Sequence, residues 1–284
     1  VNRPTASQPA GKFGPKPWWP GGTRLPMLFL LMIEASDGLV DPPVNGFLRC
    51  TSFLRKTRGV RVHNPPMIPV WDGVKPLRVV TWNIQYGAGI DQHFFYDGGR
   101  AVSQKQDIVY ANVCEIGDAL RQTDPDVVLL QEVDRRSRRT GKVDELALLR
   151  ERLPELGSWC SAAYWRVPYV PSPKWEHVGR IGMHLAILSR YRLGRATRTQ
   201  LPLLREPVYR KLFNLRRALL DVQLDVADGA PAERVHLLNT HLSAFSGGDG
   251  TLGRQVDVLR NRGVALNTAG RPWLLAGDFN ALPP

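Results

Sequence analysis

Asp278 and Asn280 stand one residue apart, directly after the apolar run 273–276 and Gly277. In an extended chain, residues i and i+2 point to the same side. A carboxylate and a carboxamide therefore leave the end of one strand together. The carboxylate can hold a cation or orient a water, and the amide can donate to a phosphoryl oxygen while accepting elsewhere. The competing reading is a turn in which Asp278 caps its own backbone. Three earlier stretches bear on that choice. Asn83 ends the run 77–84, and Glu132 closes the apolar run 127–130, where a carboxylate is costly unless it meets a cation or donors. Asn239 and His241 share one face at the end of the run 235–241. Taken singly, Asn83 reads equally as a turn-forming strand end.

Taken together, Asn83, Glu132, His241, Asp278 and Asn280 supply carboxylates, carboxamides and an imidazole. No serine or cysteine stands as a nucleophile beside a base, and His and Cys are too few for a zinc site. Oxygen ligands that leave room for water suit Mg²⁺ or Mn²⁺. Metal-assisted attack of water on a phosphate ester fits this inventory.

Such a set needs strands that lie side by side and end at one cleft. Residues 77–84 carry apolar groups on both faces (Leu77 and Val79; Val80, Trp82 and Ile84), as a strand covered on both sides does. Val109, Val113, Ile116 and Leu120 make a helical stripe over 107–122, which Asp124-Pro125 ends. The spacing of Leu146, Leu149 and Leu153 predicts a short helix. Residues 164–175, aromatic and proline-rich, read as a loop, and residues 184–188 as a strand. His184 on that strand either approaches the site or is a core histidine. Arg216 and Arg217 open a half-exposed strand over 217–226, with Asp221, Gln223 and Asp225 opposite its apolar face. A glycine loop at 246–250 precedes a helix marked by Leu252, Val256, Leu259, Gly263 and Leu266.

The 284 residues are 43% hydrophobic and 23% charged, proportions that suit a folded domain rather than a disordered chain. Lys and Arg exceed Asp and Glu by 38 − 26 = +12. Residues 1–76 hold ten of these bases and four of the acids, so half of the excess (+6) lies in that segment. A basic balance favours polyanions. Two basic runs stand out. Arg55, Lys56, Arg58 and Arg61 either touch a polyanion or form a solvated tail. Arg135, Arg136, Arg138 and Arg139 either edge a phosphate site or form a solvated loop. Residues 1–76 read as an irregular, Pro/Gly-rich basic extension and residues 77–284 as the domain. Cys50, Cys114 and Cys160 show neither metal-ligand spacing nor a disulfide framework, which points to the cytoplasm. The longest apolar run, 27–33, is far short of the ~20 residues of a spanning helix.

The motifs Thr81-Trp82-Asn83, Leu130-Gln131-Glu132, Asn239-Thr240-His241-Leu242 and Gly277-Asp278-Phe279-Asn280 resemble, in order and spacing, those of the endonuclease/exonuclease/phosphatase superfamily. The resemblance covers residues 77–284. It implies an α/β (α+β) four-layer sandwich, two packed mixed sheets flanked by helices. Glu132 resembles the family's metal ligand, with Asn83 beside it. His241 resembles the histidine that donates to the scissile phosphate, Asp278 the residue that orients the attacking water, and Asn280 the phosphate donor. Arg217 resembles a supporting arginine, and Asn239 and Arg216 are expected to contact substrate. The family continues with further strands and a Ser-Asp-His type motif. This chain stops at Pro284 and begins with Val1, so the expectation is a C-terminally truncated piece that lacks the last strands and hydrolyses more slowly than an extended chain. Two functions follow. One is an Mg²⁺-dependent phosphoesterase acting on nucleic acid or on a lipid or inositol headgroup. The other is an inactive relative serving as a binding module.

Overall fold

In the computed structural model, residues 56–227, 234–244 and 248–280 are described. Their strands form two mixed sheets of five. The first contains β1 (Thr57–Val60), β7 (Leu193–Gln200), β8 (Ala218–Leu224), β9 (Val235–His241) and β10 (Trp273–Asp278), in the order β1-β7-β8-β9-β10. The second contains β2 (Val62–His63), β3 (Val79–Asn83), β4 (Val127–Asp134), β5 (Ser158–Val170) and β6 (Gly179–Ser189), in the order β2-β5-β6-β4-β3. All pairings are antiparallel except β3 with β4 and β9 with β10.

Alternation along the strands builds the layers. Val127, Leu129, Leu185, Ile187, Leu220, Val222 and Leu237 meet between the sheets in one buried cluster. Their neighbours Val128, Leu130, Ala186 and Leu188 face outward, under α1 (Gln106–Gln122) and α2 (Glu145–Arg152). On the opposite side Leu219, Leu238 and Leu275 pack against Leu259 and Leu266 of α4 (Thr251–Thr268). A short helix, α3 (Val208–Phe213), precedes β8. The order helix, sheet, sheet, helix is the expected four-layer α/β arrangement. Truncating a buried leucine such as Leu129, fully enclosed between layers, costs about 2–5 kcal/mol in such cores.

The two parallel pairs position the site. Asn83 lies opposite Gln131 on β4, and Asp278 lies opposite His241 on β9. The carboxyl ends of β3, β4, β9 and β10 thus arrive together from both sheets. Gly277 makes the last step possible. At φ 145°, a Cβ there would stand 2.1 Å from the carbonyl oxygen of Thr240, so only glycine lets β10 lie this close to β9.

Several expectations change. Residues 57–63, expected in the irregular extension, form β1 and β2 and edge both sheets. Their side chains alternate partly buried with exposed, and each strand pairs on one side only, so the polar sequence suits an edge. Residues 1–55, with the apolar run 27–33, Cys50 and Arg55, lie outside the described residues, as do 245–247 of the glycine loop. The expected loop 164–175 begins inside the long β5; Pro168 is tolerated there because β5 pairs with β2 only at Trp159 and Cys160, leaving an open edge beyond. β7 was missed because its Arg195 and Arg198 hide the pattern; Arg198 is fully buried and donates to the carbonyls of Ala163 and Arg216. The face of β8 expected to be exposed is covered by α4, and Asp221 is buried against His236 and Arg262. Arg139, expected on a phosphate edge or a solvated loop, is buried in a two-bond pair with Asp134 at 2.8 and 3.1 Å and lies over the Tyr86 ring. Cys114 and Cys160 are free and buried.

Candidate active site

Glu132 does not end its strand. β4 continues to Asp134, and its pairing with β6 shifts register between Leu130 and Val133. Glu132 sits in that bulge at φ 57°. A bulge re-aims one side chain while the ladder resumes on either side. Here it turns a carboxylate out of a buried strand towards the gap between the sheets.

Across that gap His241 places Nδ1 3.6 Å from Glu132 Oε1 and Nε2 3.5 Å from Asp278 Oδ2. Asn83 Nδ2 donates to Asp278 Oδ2 at 2.8 Å, a bond from the edge strand of one sheet to the edge strand of the other. The backbone N–H of Asn280 donates to Asp278 Oδ1 at 2.9 Å. Both oxygens of Asp278 are therefore held. The self-capping turn and the functional placement coexist: the turn fixes the carboxylate in place. Asn280 Nδ2 donates to the carbonyl of Leu242 at 2.8 Å, which leaves its second amide hydrogen for another acceptor. Thr81, Asn83, Gln131, Gly277, Asp278, Phe279 and Asn280 line a cleft of about 640 Å³.

Arg217 enters from the start of β8. That strand runs antiparallel to β9, so its beginning lies beside the end that carries His241. The Arg217 guanidinium lies 5.4 Å from the Tyr164 ring centre, and its Nη1 is buried with no hydrogen-bond partner among the described residues. Burial pushes the Glu132 carboxyl above its usual range, opposed by Arg217 and Arg139. Burial, aided by Arg217, pushes the His241 imidazole down to about 2. The site thus holds a neutral imidazole beside a poorly solvated carboxylate.

Two expected substrate contacts are placed elsewhere. Asn239 is fully buried and bridges the sheets: it accepts from Gln131 at 2.8 Å and donates to the carbonyls of Leu130 and Ala186, both at 3.0 Å. Its carboxamide has no hydrogen left for a substrate. Arg216 directs its guanidinium to Gln200 Oε1 at 3.4 Å and to the Lys211 carbonyl at 3.5 Å, contacts with the end of β7 and with α3. His184 lies on the outward face of its sheet, away from the cleft.

Tyr164 was missed. Its hydroxyl is 3.2 Å from His241 Nδ1, and burial holds the phenol protonated, its pKa raised well above the ordinary value. The sequence placed it in an aromatic loop, so nothing tied it to His241. Gln131 was visible only as the middle of a motif; it joins Asn239 to the Thr81 hydroxyl and lines the cleft.

Among the described residues no three His, Cys, Asp or Glu side chains gather as a metal site. Mg²⁺ does not need one. It binds through one or two carboxylates and keeps several waters. A desolvated Glu132 with no base nearer than 3.6 Å, and an Asn83 whose Oδ1 accepts a single backbone N–H at 3.1 Å, fit that requirement.

No curated protein matches the chain. Among solved structures it resembles an endonuclease/exonuclease/phosphatase from Beutenbergia cavernae DSM 12333, at 26% identity and a TM-score of 0.46, over 72% of this chain and 47% of that one. It also resembles truncated Caenorhabditis elegans TDP2, at 18% identity and a TM-score of 0.44, over 72% and 63% of the two chains. The catalytic domain of human Nocturnin with a bound sulfate anion matches at 18% identity and a TM-score of 0.46, over 79% and 69%. The chain thus spans about half of the first of these proteins and under two thirds of the second. The sequence profile described as "Endonuclease/Exonuclease/phosphatase family" matches residues 80–284, a stretch that holds all the side chains gathered at the cleft. The chain belongs to the endonuclease/exonuclease/phosphatase family.

Proposed function

We propose that the chain is a divalent-metal-dependent hydrolase of phosphate esters. The observation that carries this reading is the convergence of Asn83, Glu132, His241 and Asp278 from four strands of two sheets, at the cleft that Asn83 and Asp278 line. Glu132, with Asn83 beside it, would hold Mg²⁺ or Mn²⁺. The metal supplies Lewis acidity at a phosphoryl oxygen.

The chain's own groups do the rest. Asp278, fixed by donors on both oxygens, orients a water for attack on phosphorus and accepts its proton. With Tyr164 donating to Nδ1, the neutral imidazole of His241 carries its hydrogen on Nε2, the nitrogen beside Asp278. That N–H and the second amide hydrogen of Asn280 donate to the phosphoryl oxygens as charge develops. Arg217 adds a positive charge without a carboxylate partner among the described residues. Donors preorganised in a partly dry site act most strongly where charge grows in the transition state. Substrates are phosphate esters, with nucleic acid favoured over a lipid or inositol headgroup by the basic balance of the chain.

The test is hydrolysis of bis(p-nitrophenyl) phosphate after EDTA treatment and re-addition of Mg²⁺ or Mn²⁺. The expected result is turnover that returns with metal and is lost in Asp278→Asn and Glu132→Gln. Turnover unaffected by EDTA, or equal in the variants, overturns the proposal. No turnover in any condition favours the binding-module reading.

A further inference from the structure

Arg61 of the first basic run and Arg135 of the second stand on one face of the fold that the cleft does not use. This is the outward side of the second sheet, at β2, β5 and β6. Arg166 pairs in register with Gly182, whose carbonyl accepts the backbone N–H of Arg135 at 2.7 Å. Arg166 and Arg135 therefore stand in one row across three strands, with only a glycine between them. His63, two residues along from Arg61, pairs with Trp159 on β5, and their rings stack at 4.0 Å and 4°. Arg150 of α2 lies 4.5 Å from the Trp159 ring centre.

The charges of these residues are felt together. Burial lowers the pKa of His63, and Arg61, Arg150 and Arg135 lower it further. Burial lowers that of His184 to about 3, and Arg135, Arg166 and Arg58 also act to lower it, with Asp144 acting to raise it. Asp144 is already paired with Arg135 at 3.1 Å. Arg61, Arg150 and Arg166 are exposed and have no carboxylate partner among the described residues. Among the described residues these three guanidiniums carry charge that no carboxylate pairs with.

We propose that this face is a docking surface for the phosphate backbone of a single-stranded nucleic acid, separate from the cleft. A row of guanidiniums across neighbouring strands fits a chain of phosphates, each able to take a forked pair of N–H donors. An interfacial membrane site would set apolar side chains among its cations. Between these arginines stand Ser161, Ala163 and Gly182, and the Trp159 ring beside Arg150 is covered by the stacked His63 ring. The proposal holds whether or not the cleft hydrolyses the bound strand.

The test measures binding of the whole chain to a fluorescein-labelled oligothymidylate of about 20 nucleotides by anisotropy, in EDTA so that no metal-dependent cleavage intervenes. The variant is Arg61→Glu/Arg150→Glu/Arg166→Glu. The comparison variant, Arg121→Glu/Arg192→Glu/Arg260→Glu, has the same net charge change on exposed arginines elsewhere. Melting curves confirm that both fold. The first variant should weaken binding at least tenfold and reduce the slope of log K against log salt by about 2, given about 0.7 per phosphate contact on single strands. The second should weaken it less than threefold. Equal losses in the two variants overturn the proposal, because binding would then follow net charge alone. Unchanged binding in both also overturns it. So does loss of binding to phosphatidylserine vesicles, but not to the oligonucleotide, in the first variant; that outcome assigns the face to a membrane. Hydrolysis of bis(p-nitrophenyl) phosphate should be unchanged in the first variant, which separates failure of this proposal from failure of the hydrolase reading.

Discussion

β9 carries two histidines near its two ends, His236 and His241, and both are almost fully buried. His236 faces outward beneath α4. Its Nδ1 is 2.7 Å from Asp221 Oδ1, and Arg262 holds the other oxygen of that carboxylate at 2.6 Å. His241 faces the gap between the sheets. The carboxylates around it stand back, Glu132 at 3.6 Å and Asp278 at 3.5 Å. The first cluster is closed: acid, base and guanidinium satisfy one another, and the helix covers them. The second is open: its Asp278 lines a cleft, and its imidazole and carboxylates stand too far apart to satisfy one another. Residue types alone do not separate a structural His–Asp cluster from a reactive one. Separation, and the direction in which the unused valences point, do.

The sharpest way to break this comparison is to neutralise one acid of each cluster. Asp278→Asn should lower kcat/KM by on the order of 10²–10⁴, the usual weight of a positioned acid–base group, with little change in urea midpoint. Asp221→Asn should leave kcat/KM within threefold and destabilise the fold by about 3 kcal/mol. That is the low end for breaking a buried ion pair, because Arg262 keeps 37% of its side chain in water. Measured rates and midpoints that move together in both variants would erase the distinction.

A pH series separates the open cluster by a second route. The folded pKa of His241 is lowered to about 2 from an ordinary 6.5. Below 6.5 the unfolded chain binds a proton that the folded chain refuses. The stability of the neutral, buried ring is therefore fully present above pH 6.5 and is lost as pH falls towards 2, at up to about 1.4 kcal/mol per pH unit. Glu132 runs the other way. Its folded pKa is raised from 4.5, so its contribution falls as pH rises from 4.5 through the folded value. Urea unfolding in EDTA at pH 7 and pH 5.5 should show wild type losing more stability on acidification than His241→Phe, since the Glu132 contribution is common to both. An equal loss in the two proteins would contradict a buried neutral His241.

Tyr164→Phe sharpens the same point at smaller scale. Removing the hydroxyl that holds Nδ1 should lower kcat about tenfold, and stability by about 1 kcal/mol, the net value of one hydrogen bond. A phenylalanine that left kcat unchanged would show that His241 is positioned without it.

The legibility of the sequence followed the same division. Apolar runs on strands covered on both faces, such as 127–130 and 235–241, and the helical stripe of α1 were readable because burial imposes them. The ends of those runs delivered the cleft residues. What stayed hidden depends on contacts between distant segments. Glu132 looked like a strand terminus because a bulge leaves no mark on the hydrophobic pattern. β7 was invisible because Arg198 is buried on backbone carbonyls that only the folded chain provides. Asn239 carried the right residue type at the right strand end, yet points into the layer between the sheets, where it links Gln131 to two backbone carbonyls. Tyr164 is tied to His241 across 77 residues, by packing rather than by any local spacing.

The smallest effects test neighbours that the sequence could not rank. Arg216 and Arg217 are adjacent and chemically identical. Arg217 lies over Tyr164 and acts on both Glu132 and His241. Arg216 binds Gln200 and the Lys211 carbonyl. Arg217→Ala should cost about tenfold in kcat/KM, about 1.4 kcal/mol of transition-state stabilisation. Arg216→Ala should change it less than twofold. The reverse ranking would mean that the start of β8 turns over when substrate binds, bringing Arg216 to the cleft in place of its neighbour.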